Sequence, residues 1–390
     1  MKKLFSAVFL VGAILCLCNV SCGRKTETEK KEQIGSFASH VIEDAQYNIY
    51  VEKSASMRGY FGKETAKTIL TECIDRLSEN ENNHVDTITF NFIDGKIITQ
   101  SKLEIKPFVN SIYQNCDASH SKIDDILEKI MSLTDSKTVN LLVSDFIFDS
   151  PDANLAIARS GITKTFTSFL TQNSNLSIAI VKYDAEFKGF YYPTIGRLNC
   201  NQNRPLYIWA FGPSEHIKEF VNLKTKQTKE GLFLLQPSIQ ISPLFDKTGK
   251  SARMFDKNND IIVSYWDKER RSDSYEITLY ADFSKCILSE SDIIDIASYK
   301  ITPSQYSIKS ITHNEDNKYK FIISTTKPSP CNIKIQYSLN LPDWIDTCNY
   351  EGNNIPPQGH TYGIKYLFGG VFDAYDNQFD NLFEINLKLK

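Results

Sequence analysis

Between residues 43 and 230 the chain alternates between two periodicities, and this restricts its fold more than any other feature. Short apolar runs that read as strands are separated by stretches whose apolar residues recur every three or four positions, the spacing of one helix face. Tyr47 to Val51 is the first run, and Ala66, Ile69, Leu70, Cys73, Ile74 and Leu77 follow at helical spacing. Val85 to Ile93 is a second strand in which Ile88, Phe90 and Phe92 alternate with Thr89 and Asn91, and Ile123, Ile126, Leu127 and Ile130 mark another helix. Val139 to Ile147 forms a continuous apolar strand, Leu155 to Leu170 a helix, Leu176 to Tyr183 and Pro205 to Phe211 two more strands, and an amphipathic stretch runs to Leu223. Strands alternating with helices predict a mostly parallel sheet covered on both faces, a doubly wound, Rossmann-like α/β domain over residues 43–230.

Beyond Pro237 the pattern changes. Ile261 to Trp266, Tyr275 to Tyr280, Tyr319 to Ser324, Asn332 to Leu339 and Phe383 to Leu389 are short and rich in β-branched and aromatic residues. Turn signals such as Asn258-Asn259-Asp260 and Asn353-Asn354-Ile355-Pro356-Pro357 separate them. This predicts a separate β-rich, sandwich-like domain over 237–390.

The first residues read as a targeting segment. Lys2 and Lys3 precede an apolar run from Leu4 to Cys18 broken only by Ser6 and Gly12, and Asn19-Val20-Ser21-Cys22 follows. The run is shorter than the roughly 20 residues a spanning helix needs, and polar sequence follows at once. Val20-Ser21-Cys22 resembles the lipobox of a bacterial lipoprotein, with Asn19 where Leu is usual, similar to the looser lipoboxes of Bacteroidetes. The resemblance implies a signal peptide over 1–21, acylation (palmitate included) of Cys22 and a lipid-anchored protein of the cell envelope, at the outer membrane rather than the inner. Several acyl chains at about 0.8 kcal/mol per buried methylene make a durable anchor. An ordinary secretory signal with an incidental cysteine is the other reading. Residues 22–42, centred on Thr26-Glu27-Thr28-Glu29-Lys30-Lys31-Glu32, read as a flexible tether.

Composition bounds the rest. At 41% hydrophobic residues the chain can bury ordinary cores. Its net charge of −3, or −5 without Lys2 and Lys3, gives no reason to expect a nucleic-acid partner. Beyond Cys16, Cys18 and Cys22, six cysteines remain: Cys73, Cys116, Cys200, Cys286, Cys331 and Cys348. Their spacing suggests no zinc motif, and they could be free thiols or disulfides.

The segment that could carry chemistry follows the first strand: Glu52-Lys53-Ser54-Ala55-Ser56-Met57-Arg58-Gly59. Ligands of a doubly wound sheet gather at the carboxyl ends of its strands. A carboxylate and two hydroxyls there suit a hard divalent cation, Mg²⁺ before Zn²⁺. The segment resembles the first metal-site motif of von Willebrand factor A (vWA) domains, Asp-x-Ser-x-Ser, with Glu52 in place of Asp and Ser54, Ser56 and Met57 matching. Ser121-Lys122-Ile123 looks like that family's second loop, which opens a helix with a metal-binding Thr. Ser144-Asp145 resembles its third loop, with Phe146 in place of the common Gly. The resemblance covers about 180 residues and implies a MIDAS-like site in which Glu52, Ser54, Ser56, Ser121 and Asp145 hold Mg²⁺ or another divalent cation. A partner protein's carboxylate would complete the shell, for adhesion or assembly without bond making.

Two alternatives stand beside this reading. A hydrolase could use Asp145, His120 and a metal-bound water, although the sequence has no GxSxG, P-loop or HExxH. A metal-free scaffold would use Ser54, Ser56 and Asp145 only as caps. The six histidines, His40, His84, His120, His216, His313 and His360, form no His–His ligand pair at helical spacing. Asp124-Asp125 is expected to complement a helix dipole. Tyr191-Tyr192-Pro193 and Arg204-Pro205-Leu206-Tyr207-Ile208-Trp209 bracket what reads as a loop of about twenty residues that could cover a ligand surface.

Overall fold

In the computed structural model, Tyr47, Ile49 and Val51 project to one face of a central strand while Asn48, Tyr50 and Glu52 project to the other. Both sets are buried because parallel neighbours flank the strand and helices cover both faces. The structure describes residues 42–79, 84–95, 97–118, 122–148, 154–191, 198–224, 231–241, 243–244, 254–257, 260–263, 267–268, 275–315 and 317–389. Cys22, the signal segment, the tether to residue 41, His120 and Ser121 lie outside the described residues.

The central sheet contains β1 (Ala45–Glu52), β2 (Val85–Asp94), β3 (Ile97–Ser101), β4 (Thr138–Ser144), β5 (Leu176–Tyr191), β6 (Leu198–Pro213) and β7 (Leu232–Leu235). Their order is β3-β2-β1-β4-β6-β5-β7. Only the β2–β1 and β1–β4 pairs are parallel, so the sheet is mixed rather than mostly parallel. The difference arises where β6 folds back from β5 and inserts next to β4. The expected loop of about twenty residues is instead most of a long hairpin, both of whose strands have 16 residues. Their outer halves carry Asp184, Glu186, Asn201 and Asn203, polar residues that hide a strand when apolar runs alone are read.

Six helices belong to this sheet: α1 (Met57–Phe61), α2 (Glu64–Glu79), α3 (Ile105–Asn115), α4 (Ile123–Ser132), α5 (Leu155–Gln172) and α6 (Ser214–Lys224). One face of the sheet is covered by α1, α2, α3 and α6, and the other by α4 and α5. The second face is completed from far along the chain by the helix Ile364–Phe379. Its Ile364, Leu367, Phe368, Val371, Ala374 and Tyr375 are buried. Gly369 and Gly370 let it approach α5 closely: a Cβ on Gly370 would stand 2.8 Å from the Arg159 carbonyl oxygen. Arg159 also clamps this helix through a two-pronged pair with Asp373, both bonds 2.7 Å long.

Among the described residues the remaining strands form a short parallel pair, Asn349–Tyr350 with Thr361–Tyr362, and two larger sheets. One is built on Asn332–Tyr337 paired with Phe383–Leu389, the other on Tyr275–Asp282 paired with Lys318–Thr325. Ile277, Leu279, Phe321 and Ile323 from one share an apolar cluster with Ile333, Ile335, Phe383 and Ile385 from the other. All six cysteines beyond residue 22 are free thiols. Among the described residues no helix is long and apolar enough to cross a membrane.

Candidate functional site

Glu52 is the last residue of β1 and is 5% exposed. The chain then leaves the sheet but remains tied to it. Lys53 N donates to Ile93 O at 2.9 Å, and Ala118 N donates to Lys53 O at 3.0 Å, so the segment 116–118 lies alongside 53–55. Cys116 Sγ donates to the Glu52 carbonyl oxygen at 3.4 Å. Burial, followed by the Glu52 charge, pushes its thiol well above the usual range.

Ser56 opens α1, a short helix held by the buried Met57, Tyr60 and Phe61. A glycine is required at position 59 because the Phe187 ring of the long hairpin occupies the space of a side chain there, 2.2 Å from the place of a Cβ. Tyr60 packs edge-on against the same ring at 4.8 Å, and its hydroxyl donates to Pro205 O at 2.7 Å. The hairpin therefore fixes α1, and α1 fixes Ser56. Ser54 and Ser56 hydroxyls are 3.1 Å apart.

On the neighbouring strand, Ser144 ends β4 and its hydroxyl donates to Glu52 Oε2. Ser144 Oγ in turn accepts from Phe146 N at 2.8 Å. Phe146 has φ +47°, a left-handed conformation that costs a non-glycine residue on the order of 1 kcal/mol. Packing compensates, since its ring stacks on Trp209 at 4.7 Å and meets Tyr207 and Phe368 edge-on.

Asp145 lies between these two anchored residues and is 3% exposed. Its Oδ1 accepts a long bond from Ile147 N, 3.4 Å, and its Oδ2 has no hydrogen-bond partner. Burial raises the Asp145 carboxyl pKa, against the opposing pull of the Ser56 hydroxyl, the Ile147 amide and the Arg204 charge. The structure thus brings Glu52, Ser54, Ser56, Ser144 and Asp145 to the carboxyl ends of β1 and β4. Asp124 and Asp125 lie apart from this group in the first turn of α4, where negative charge complements the helix dipole.

Arg204 is the functional candidate that sequence reasoning left inside an aromatic motif. It is 1% exposed, stacks over the Tyr191 ring at 4.1 Å and donates to the carbonyl oxygens of His360 and Pro356. Burial works against its guanidinium charge, but the neighbouring Tyr60, then Tyr191 and Cys200, and last the Asp145 charge, raise its pKa. Its neighbourhood became legible only with the hairpin register, which sets Arg204 opposite Ala185 in the outer part of the ribbon.

Chemically, the cluster offers two carboxylates and three hydroxyls, an all-oxygen donor set that suits Mg²⁺ or Ca²⁺ better than a soft metal. The unpartnered Asp145 Oδ2 is an available ligand atom, so the residues present fit a hard cation. Among the described residues no three His, Cys, Asp or Glu side chains are grouped to hold a metal on their own. In comparisons with known proteins, no family model, no curated protein and no solved structure matches this chain.

Proposed function

We propose that this chain is a lipid-anchored envelope protein, acylated at Cys22, which binds a protein or another acidic ligand through a divalent cation at the carboxyl ends of β1 and β4. Glu52, Ser54, Ser56, Ser121 and Asp145 would hold the ion, in the manner of a vWA domain. The ion would supply a fixed positive centre for a partner's carboxylate. The observation that carries the reading is the Asp145 carboxylate, buried beside Ser56 with Oδ2 unpartnered. An unmatched buried carboxylate oxygen costs about 1–3 kcal/mol, and a cation is the ligand that offsets it. The left-handed backbone at Phe146 adds support, because it is a conformation served by the Gly that vWA domains commonly carry there. In this reading residues 43–230 are the vWA-like unit, and the two C-terminal sheets pack as a sandwich.

A second reading, a metal-free interaction scaffold, is favoured by Arg204, whose buried charge already acts on Asp145. Calorimetric titration with Mg²⁺ and Mn²⁺ separates the two. Saturable binding that Ser54→Ala/Asp145→Ala abolishes supports the cation site, and absence of binding to the folded wild type leaves the scaffold. Turnover of generic phosphate or ester substrates that the same double variant abolishes would instead mark a metal-assisted hydrolase.

A further inference from the structure

Lys182 lies in the inner half of β5, directly opposite Tyr207 in the hairpin register. Directly opposed residues of an antiparallel pair share a face. Lys182 therefore projects to the side of the sheet that the helix Ile364–Phe379 completes. A lysine on an apolar face ordinarily carries its amine out to water. Here, among the described residues, Nζ forms no ion pair and donates to Cys348 Sγ at 3.3 Å. The Trp344 ring stands beside the ammonium, its centroid 6.0 Å from Nζ.

Cys348 closes the short helix Asp343–Thr347, and its backbone is held on both sides. Its N–H donates to Trp344 O at 2.9 Å, and its carbonyl oxygen accepts from Thr361 N at 2.8 Å. Trp344 is tied to the sheet in turn, because its Nε1 donates to Leu232 O at 3.3 Å. The fold thus holds together an amine and a thiol from segments 166 residues apart. Atoms held about 3–3.5 Å apart are in position to react. Cys348 is 9% exposed, against 0–2% for Cys73, Cys116, Cys200 and Cys286, so it is the buried thiol that a small oxidant reaches first.

We propose that Lys182 and Cys348 are a modification site, at which a peroxide drives a covalent N–S link that staples β5 to the segment leading into the helix Ile364–Phe379. Hydrogen peroxide first oxidises the thiol: sulfur takes one oxygen to give Cys348 sulfenic acid, and the peroxide is reduced to water. The Lys182 ammonium gives one proton to solvent, its lone pair attacks sulfur, and the S–O bond breaks. Hydroxide leaves with a second amine proton as water, and the S–N bond of a sulfenamide remains. Two equivalents of a small thiol reverse the link, restoring the Cys348 thiol and the Lys182 amine while the reagent becomes its disulfide. The nearby amine also diverts the sulfenic acid from further oxidation to sulfinic acid.

The test treats the folded full chain with graded hydrogen peroxide, blocks the remaining thiols, and maps the digested peptides by mass spectrometry. Wild type is expected to yield the Lys182 peptide joined to the Cys348 peptide, lighter than their sum by two hydrogen atoms and lost on treatment with dithiothreitol. Lys182→Arg keeps the positive charge and removes the reactive amine. Once circular dichroism shows it folded, it is expected to form no link and to carry Cys348 on to sulfinic acid. The half-buried Cys331 gauges the oxidant dose in both proteins. Cys348 remaining a thiol in wild type at a dose that oxidises Cys331 overturns the pair, as does a link from Cys348 to any other residue. So do identical Cys348 products in wild type and Lys182→Arg, and the wild-type map alone decides whether the link forms.

Discussion

Replacing Asp145 by Asn removes a charge while keeping the shape of the side chain, and the structure fixes the sign of the effect. Folding raises the carboxyl pKa, with the attraction of Arg204 already included in that balance. The fold therefore favours the protonated acid. Stability linked to this group is full below the ordinary carboxylate range and is lost as pH rises through the raised folded value. At neutral pH and in chelator, Asp145→Asn removes the buried charge while leaving a polar atom in its place, and should recover about 1–3 kcal/mol of the desolvation cost. Unfolding entropy of about 2.1 cal/mol/K per residue gives the Ile42–Lys390 body about 0.7 kcal/mol per kelvin, so Tm should rise by about 1–4 °C. Saturating Mg²⁺, at about 100 times its Kd, adds about 2.7 kcal/mol to the wild type alone and cancels or reverses the difference. Differential scanning calorimetry in chelator and in Mg²⁺, at neutral and acid pH, measures all of this. A variant less stable than wild type in chelator at neutral pH refutes the electrostatic reasoning. An equal Mg²⁺ response in both proteins refutes the cation site.

Other outcomes follow from the packing. Phe368→Ala empties the centre of a cluster of Phe146, Tyr207, Trp209, Phe233 and Trp344, and urea unfolding should show a loss of about 3–5 kcal/mol. A loss below about 1 kcal/mol would contradict the placement of the C-terminal helix. A double-mutant cycle on Arg159 and Asp373, each about one-third exposed, should give a coupling of about 0.5–1 kcal/mol that fades with salt. Insensitivity to salt would mean that packing, not charge, joins these helices. In protein beginning at residue 23, a thiol reagent should modify the half-buried Cys331 quickly in the native state and the five buried cysteines only after denaturation. Two thiols missing from the denatured total would reveal a disulfide.

Much of the central sheet was legible because its strands and helices are strongly periodic. Tyr47 to Val51, Val85 to Ile93 and the stripe from Ala66 to Leu77 fall within β1, β2 and α2. The edge strand β3 was not legible: Ile97 is 68% exposed, and a strand with one neighbour and little burial leaves no apolar alternation to detect. The helix Ile364–Phe379 was hidden by Gly369-Gly370, which weaken local helix preference but permit the close contact with α5. At the candidate site the legible residues were those on local loops, Glu52 to Ser56 and Ser144-Asp145. Arg204 acts on Asp145 from a strand whose place beside β4 depends on a hairpin reversal, and no spacing along the chain encodes that. The pair of Lys182 and Cys348 likewise joins residues 166 positions apart.

The return of the helix Ile364–Phe379 has a consequence for how this protein is made. Trp209, Phe211 and Phe233 leave the ribosome about 130 residues before the helix that covers them. A nascent chain stopped before residue 364 presents that aromatic face to solvent, so the sheet completes one side well before the other. Premature termination before residue 364, or proteolytic removal of this helix, should therefore yield a sticky, chaperone-dependent product rather than a smaller native protein.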